Sequence, residues 1–356
     1  LQVKRRTGLP MTHSVTNVNG PVFVVGASRS GTTLMSRVVS RTGSVRALAE
    51  VHFFERLYTP GIGPDALSHD DAVELAAQLV HTQHKGLFYR QGNAADFHDE
   101  AEQIVSAVNG SGAVSPLAVY GEFLAVDARR RGGEVGCDQT PRNVFYIRDI
   151  LRAFPDARVI NMVRDPRAVM LSQKNKWRRR SLGESDLPRS EVVRSWSNYH
   201  PLVTPRIWKG AVDAADKVRD DRVLTVRFED LVADSERTVA DVAAHCGMPF
   251  SADMLDVPKE SSSLATDDPD ARGLRGDVAE AWRVQGGLSD AEIAMCESVA
   301  GEAMRRHGYD SAAPSNATLG KLGWYGALPV KLGVAGVMNA RQLGNPVTMV
   351  KRRLGK

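Results

Sequence analysis

Three apolar runs punctuate an otherwise mixed chain, and each is followed by a turn and a helical pattern. Val22–Val25, Arg158–Val163 and Arg222–Val226 are rich enough in apolar and β-branched residues to predict short strands buried on both faces, as in a parallel sheet. Asn19-Gly20-Pro21 is a turn that releases the first. After it, Leu34, Met35, Val38 and Val39 fall at helical spacing, and Gly43 stands where a helix would end. After the second, Asp165 suits an N-cap and Pro166 the first helical turn, so a helix carrying Ala168, Val169, Leu171 and Ser172 is predicted. After the third, a helix over 235–246 is stopped by Gly247 and Pro249. Ser289 and Glu292 form a capping box for a further helix carrying Ile293, Cys296, Ala300 and Ala303, closed at Gly308.

Between the first and second units, 59–64 holds two prolines and two glycines and reads as a loop, while 70–82, 95–108 and 117–131 read as helices. Strand–helix alternation with this insertion predicts an α/β fold: a P-loop-like three-layer sandwich around a mostly parallel sheet. At 356 residues, one large domain over 20–312 is the simplest count, with an extension at 1–19 and a basic amphipathic tail at 313–356.

The spacing Gly26-x-x-x-x-Gly31-Thr32-Thr33 gives the first unit its chemistry. Its loop, Ala27-Ser28-Arg29-Ser30-Gly31, runs from a strand into a helix, so loop N–H groups and the helix N-terminus converge as a phosphate cradle. A nucleoside-triphosphate P-loop places a lysine where this chain has Thr32, and its cation has moved back to Arg29. That departure argues against a kinase or NTPase, which would reach β- and γ-phosphates with the lysine. Arg164 ends the second strand, at the edge where open α/β sheets bind ligands, and Ser172 lies two helical turns further on. Seven cations and one anion fall between Arg164 and Arg180, of which 174–180 also reads as a solvated helix end. Asp267 to Gly276 is a polar loop bearing Arg272 and Arg275.

Charge and cysteine content narrow the classes. The net charge of +4 is unevenly held: 311–356 carries seven Lys or Arg and no acid, and Lys4, Arg5 and Arg6 add three. Removing those ten positive charges leaves the body at −6, so no general nucleic-acid surface is expected. Residues 323–339 are apolar but broken by Pro329 and Lys331, too interrupted to span a bilayer. Flanked by Lys351, Arg352 and Arg353, they could rest peripherally on the inner face of a membrane, or pack on the body or a partner subunit. Cys137, Cys246 and Cys296 are scattered and odd in number, so neither a disulfide framework nor a metal site is expected. The opening LQVKRRTGLPM lacks the apolar stretch of a signal peptide, which predicts a cytoplasmic location.

Taken in order, these motifs resemble the sulfotransferases that use 3′-phosphoadenosine 5′-phosphosulfate (PAPS), over most of residues 20–310. Arg29-Ser30-Gly31-Thr32-Thr33-Leu34 resembles their 5′-phosphosulfate loop in its arginine form, found in tyrosylprotein sulfotransferases and bacterial relatives. Arg164 and Ser172 resemble the pair that holds the 3′-phosphate. Val226-Arg227-Phe228-Glu229-Asp230-Leu231 resembles a Tyr-Glu-Asp-Leu segment near the nucleotide, Trp282–Tyr309 the closing helix, and Arg272 to Gly276 the loop over the 3′-phosphate. Two positions depart: Gln139 replaces a lysine in Asp138-Gln139-Thr140-Pro141, and Phe228 replaces a tyrosine. The resemblance implies PAPS as donor, no metal, and a hydroxyl acceptor on a carbohydrate, glycolipid, phenol or peptide. It also places Glu50 where the tyrosylprotein enzymes carry their catalytic glutamate, with His52 second in line as base and otherwise a packing histidine. A P-loop kinase or an inactive nucleotide-binding scaffold is the alternative, and oligomeric state is not legible.

Overall fold

Alternating side chains of two central strands divide the interior into two cores. In the computed structural model, the described residues are 20–58, 67–86, 92–109, 114–178, 188–258, 272–274, 276, 278–284, 286–312 and 318–339. Among them, strands β1 (Val22–Gly26), β2 (Val45–Ala47), β3 (Val135–Asp138), β4 (Arg158–Val163) and β5 (Val223–Arg227) form one parallel sheet in the order β2-β3-β1-β4-β5. Phe23, Val25, Val159 and Val163 face one core, whereas Val22, Val24, Ile160 and Met162 face the other. Every side chain of β1 is buried, as the unbroken apolar run predicts. The stretches forming β2 and β3 are only three and four residues long, too short to stand out as apolar runs.

Helix α1 (Thr32–Ser40) follows β1 and buries Met35, Val38 and Val39; it stops before Gly43, which lies in the turn beyond. The insertion between β2 and β3 contains α2 (Phe53–Arg56), α3 (His69–Lys85), α4 (His98–Asn109) and α5 (Pro116–Arg130), three of them where helical spacing predicts. Next come α6 (Ile147–Ala153), α7 (Pro166–Asn175), α8 (Arg189–Ser197), α9 (Val203–Asp216), α10 (Phe228–Ala233), α11 (Ser235–His245), α12 (Asp290–Arg306) and α13 (Thr318–Asn339). Asp165 caps α7 by accepting from the Arg167 N–H, and Ser289 with Glu292 caps α12 reciprocally, both as predicted. The three cysteines are buried and unpaired. Among the described residues, no helix is long and apolar enough to cross a membrane.

An aromatic cluster joins the insertion to the sheet. Tyr120 of α5 stacks on Phe53 with ring centroids 4.1 Å apart, and Phe54 and Phe23 pack around the pair. The Tyr120 hydroxyl donates to Asp138, a carboxylate with no solvent exposure at the end of β3. The Thr140 N–H donates to the other Asp138 oxygen at 2.6 Å. Burial raises the Asp138 pKa, and the bonds from Thr140 and Tyr120 oppose that rise. Tyr120→Phe deletes one donor from a buried acceptor and leaves packing intact. It should lower unfolding free energy by about 1–3 kcal/mol in urea titration at neutral pH. A change within error would mean that water replaces the hydroxyl.

Candidate active site

The sheet order brings three connecting segments to one edge. Because β3 and β4 flank β1 and all run parallel, the loops after Gly26, Asp138 and Val163 leave the sheet side by side. The β1 loop is drawn tight: Gly26 has φ 143°, and a Cβ there would lie 2.2 Å from the Met162 carbonyl oxygen on β4. Gly31 has φ 93°, and a Cβ there would meet the Phe228 ring at 2.7 Å. Arg29 between them holds a left-handed backbone, φ 75°, costly for a residue with a side chain. The Ser30 N–H closes the turn onto the Ala27 carbonyl at 3.2 Å. Helical bonding in α1 begins with Met35 N–H to Gly31 carbonyl, so the Thr32, Thr33 and Leu34 N–H groups have no partner within the helix. With the helix dipole behind them, they suit an anion.

Side chains from β4, α7 and α10 close on this loop. Arg29 Nε donates to Ser172 Oγ at 2.9 Å. Arg164 Nη1 donates to the Arg29 carbonyl at 3.3 Å, and Nη2 to the Val278 carbonyl at 2.6 Å. The Arg164 guanidinium stacks 4.2 Å above the Phe228 ring, which itself backs Gly31. Burial lowers the Arg164 pKa, opposed by Glu229, Asp165 and Tyr309, but arginine stays charged at any working pH. Arg164 Nε and Ser30 Oγ are buried with no hydrogen-bond partner among the described residues, a donor set that fits an anionic ligand. Thr33 Oγ1 donates to Gln139 Oε1 at 3.2 Å and ties α1 to the β3 loop.

Behind these groups stands a rigid support that the sequence motifs do not reveal. Arg167, 1 % exposed, forms a fork on Asp165, reaches Glu297 of α12 at 2.8 Å, and lies 4.0 Å over the Trp282 ring. Glu229 accepts from the Asp165 N–H and the Tyr309 hydroxyl, at 3.0 and 2.8 Å. Trp208 Nε1 donates to the Arg164 carbonyl at 2.9 Å. Strand end, helix start and closing helix are thereby locked together around Arg164.

Of the residues singled out for the donor, Arg29, Arg164, Ser172 and Phe228 meet at the loop. Within it Ser28 and Thr33 are exposed, Ser30 and Thr32 are buried, and Leu34 packs into the core beneath the sheet. Arg272 does not join them: its guanidinium is held by Asp256, which also pairs with Arg41, just past the far end of α1. Arg275 lies outside the described residues.

The segment after β2 carries the candidate bases. Leu48 N–H pairs with the Cys137 carbonyl at 2.8 Å, so residues 49–52 leave the sheet at the same edge as the loops. The Glu50 side chain is 41 % exposed, and its carboxylate lies 3.4 Å from His52 Nε2. His52 Nδ1 lies 3.0 Å from Glu55, a buried carboxylate that also binds Arg142. Glu55 and Arg142 were not singled out from the sequence, although Glu50-x-His52-x-x-Glu55 already brackets one imidazole with two acids. Burial alone would lower the His52 pKa, but the hydrogen bonds and charges of Glu50 and Glu55 outweigh it and raise the value above the ordinary 6.5. His52 also caps α2 with a left-handed backbone, φ 52°. With a raised folded pKa, the stabilisation from His52 is complete below the unfolded value and vanishes as pH rises through the folded one. The stability advantage of wild type over His52→Asn should therefore be larger near pH 6 than near pH 9 in denaturant titrations, roughly spanning that titration. A pH-independent difference would show that His52 is neutral throughout.

No curated protein sequence matches the chain. Among solved structures, the chain is 15 % identical to the sulfotransferase domain from the curacin biosynthetic pathway, covering 82 % of this chain and 99 % of that one, with TM-score 0.43. It is 19 % identical to the sulfotransferase domain of the Synechococcus PCC 7002 olefin synthase, covering 80 % and 95 %, with TM-score 0.40. Against sulfotransferase STF9 from Mycobacterium avium the identity is 15 %, the coverage 84 % and 79 %, and the TM-score 0.42. The sequence model of the sulfotransferase family matches residues 21–252, which take in the β1 loop, Arg164, Ser172 and the β5 segment. The chain belongs to the sulfotransferase family.

Proposed function

We propose that the chain transfers the sulfuryl group of PAPS to an acceptor hydroxyl on a carbohydrate, glycolipid, phenol or peptide. The observation that carries this reading is the meeting of Arg29, Arg164 and Ser172 on a lysine-free glycine loop. Arg29 and the N–H groups of Thr32, Thr33 and Leu34 would face the 5′-phosphosulfate. Arg164 and Ser172 would take the 3′-phosphate, the role that their resemblance to the family's pair implies. Phe228 backs the Arg164 guanidinium and Gly31 with a flat apolar ring. Transfer forms a bond from the acceptor oxygen to sulfur and breaks the bond from sulfur to the 5′-phosphate oxygen. Charge builds on that leaving oxygen, and one fixed donor aimed at it is worth roughly 3–4 kcal/mol. On this reading Arg29 would be such a donor. Three buried, unpaired cysteines suit the reducing cytoplasm where we place the protein.

The acceptor proton needs a base. His52 lies between two carboxylates that raise its pKa above the ordinary 6.5, and we give it the part of their hydrogen-bond partner. Glu55 is buried and paired with Arg142. Glu50 is the half-exposed member of the group, and we assign it the base, with His52 holding its carboxylate. Gln139 accepts from Thr33 and positions α1, a role that needs no charge.

Two measurements test these assignments. Arg164→Ala should weaken adenosine 3′,5′-bisphosphate at least about tenfold more than 5′-AMP by calorimetry, because a charged hydrogen bond contributes ~1.5–3 kcal/mol. Equal weakening of both would confine Arg164 to holding the Arg29 carbonyl. Glu50→Gln keeps the shape of the side chain and removes its basicity. It should leave PAPS affinity nearly unchanged and lower kcat by at least ~10²-fold, the lower end for general base catalysis. Turnover that survives Glu50→Gln but collapses in His52→Ala would move the base to His52.

A further inference from the structure

Helix α13 packs Trp324 inward but also buries a charge, and it leaves a row of apolar side chains outside. A helix on the surface of a water-soluble body turns its apolar stripe inward and its charges outward. Here the inward face carries Lys331, 8 % exposed, whose ammonium donates to the Trp196 and Tyr199 carbonyls at 3.0 and 3.1 Å and sits 4.1 Å over the Trp196 ring. Asn339 likewise pairs with Asn198 of the segment after α8. The outward face carries Leu322, Tyr325, Val330, Leu332 and Val337, each more than half exposed. Every other exposed position of α13 is a glycine or Pro329, and the partly exposed Lys321 lies at the edge of that face beside Tyr325. Glycine and proline weaken a helix in water, so the outer face gains little from propensity.

The charge around the helix selects what covers this face. Residues 311–356 hold seven Lys or Arg and no Asp or Glu. A second copy would bring the same excess of positive charge and no acid in this segment to pair with it. An anionic bilayer would accept the apolar side chains below its headgroups and pair with the basic residues at its surface. The rest of the chain, net negative once both basic ends are set aside, would be held off that surface. We propose that α13 is a membrane-docking element that lays its outer face into the headgroup layer of an anionic bilayer while its inner face stays on α8 and α12. Lys331 then serves as the anchor of the element to the body rather than as a lipid contact.

Co-sedimentation of the full chain with vesicles tests the proposal, and it needs no turnover, so its outcome is independent of the donor and the acceptor. Wild type should bind vesicles containing phosphatidylglycerol at least about tenfold more tightly than phosphatidylcholine alone, and added salt should weaken that preference. Replacing Leu322, Val330 and Val337 together by serine should reduce binding at least tenfold with an unchanged melting temperature, since each methylene withdrawn from water is worth roughly fourfold. Reversing Lys351, Arg352 and Arg353 to glutamate should remove the preference for phosphatidylglycerol. Tyr325→Trp supplies a probe that leaves the face apolar: its added fluorescence should be quenched by brominated lipid on anionic vesicles. Equal binding to both vesicle types, serine substitution without effect, or a tryptophan untouched by brominated lipid would each overturn the proposal. A dimer in lipid-free sedimentation velocity that the serine substitutions dissociate would do so too, and would give the face to a second copy.

Discussion

Strand β1 lies between β3 and β4, all parallel, and the segments leaving its neighbours therefore crowd the loop that leaves β1 itself. Neighbouring strands lie only about 4.8 Å apart, so side chains from the two flanking segments cannot avoid this loop. Gly26 meets the β4 backbone and Gly31 meets Phe228, which is why neither position tolerates a Cβ. Arg164 answers from β4 by donating to the Arg29 carbonyl, and Gln139 answers from β3 by accepting from Thr33. The cradle is shaped by contact from both sides. A strand order that separated β1 from either neighbour would leave the same loop sequence without its supports.

The supports are ionic and buried, which is a costly way to hold a helix start. Removing a guanidinium such as Arg167 from water costs several kcal/mol unless its donors are matched. They are matched here, by a fork on Asp165 and a further bond to Glu297, with the Trp282 face stacked on the plane. Such an arrangement adds little stability over apolar packing but fixes geometry, because any displacement uncovers a buried charge. Arg164, Asp165 and the start of α7 inherit that fixity, and with it Ser172 keeps its distance to Arg29. The second acidic group, around His52, is looser at one end: Glu55 is buried and held by Arg142, while Glu50 stays in contact with solvent. A carboxylate with one steady neighbour and one open side can both be aimed and exchange a proton.

Charge is partitioned along the chain in a way that the fold turns into an outer face. The body is net acidic outside its two basic ends, and α13 presents to solvent apolar side chains and glycines beside the most basic stretch. Its one buried cation binds the Trp196 carbonyl in the last turn of α8 and the Tyr199 carbonyl just beyond it, where a positive charge is favoured by the helix dipole.

The local signals were strong wherever one short stretch carries both a strand and its turn. The β1 run with its two glycines, Asp165-Pro166 as a helix start and Ser289 with Glu292 as a capping box all act over a few residues, so spacing alone determined them. The same spacing put Arg29, Arg164 and Ser172 on the right elements. What it could not determine was distance between elements. Strands β2 and β3 are too short to read as periodic, yet their insertion beside β1 brings Gln139, Glu50 and His52 to the loop edge. Arg272 sits in a stretch that resembles a nucleotide loop, but in the fold its guanidinium is paired with Asp256. The buried partnership of Tyr120 with Asp138, and the bracketing of His52 by Glu55 and Arg142, join residues from separate elements and arise only when the helical insertion folds onto the sheet. The outward apolar face of α13 is of the same kind: its composition is written in the chain, but which side faces water was decided by Lys331 finding two carbonyls and an aromatic face on α8 and the turn after it.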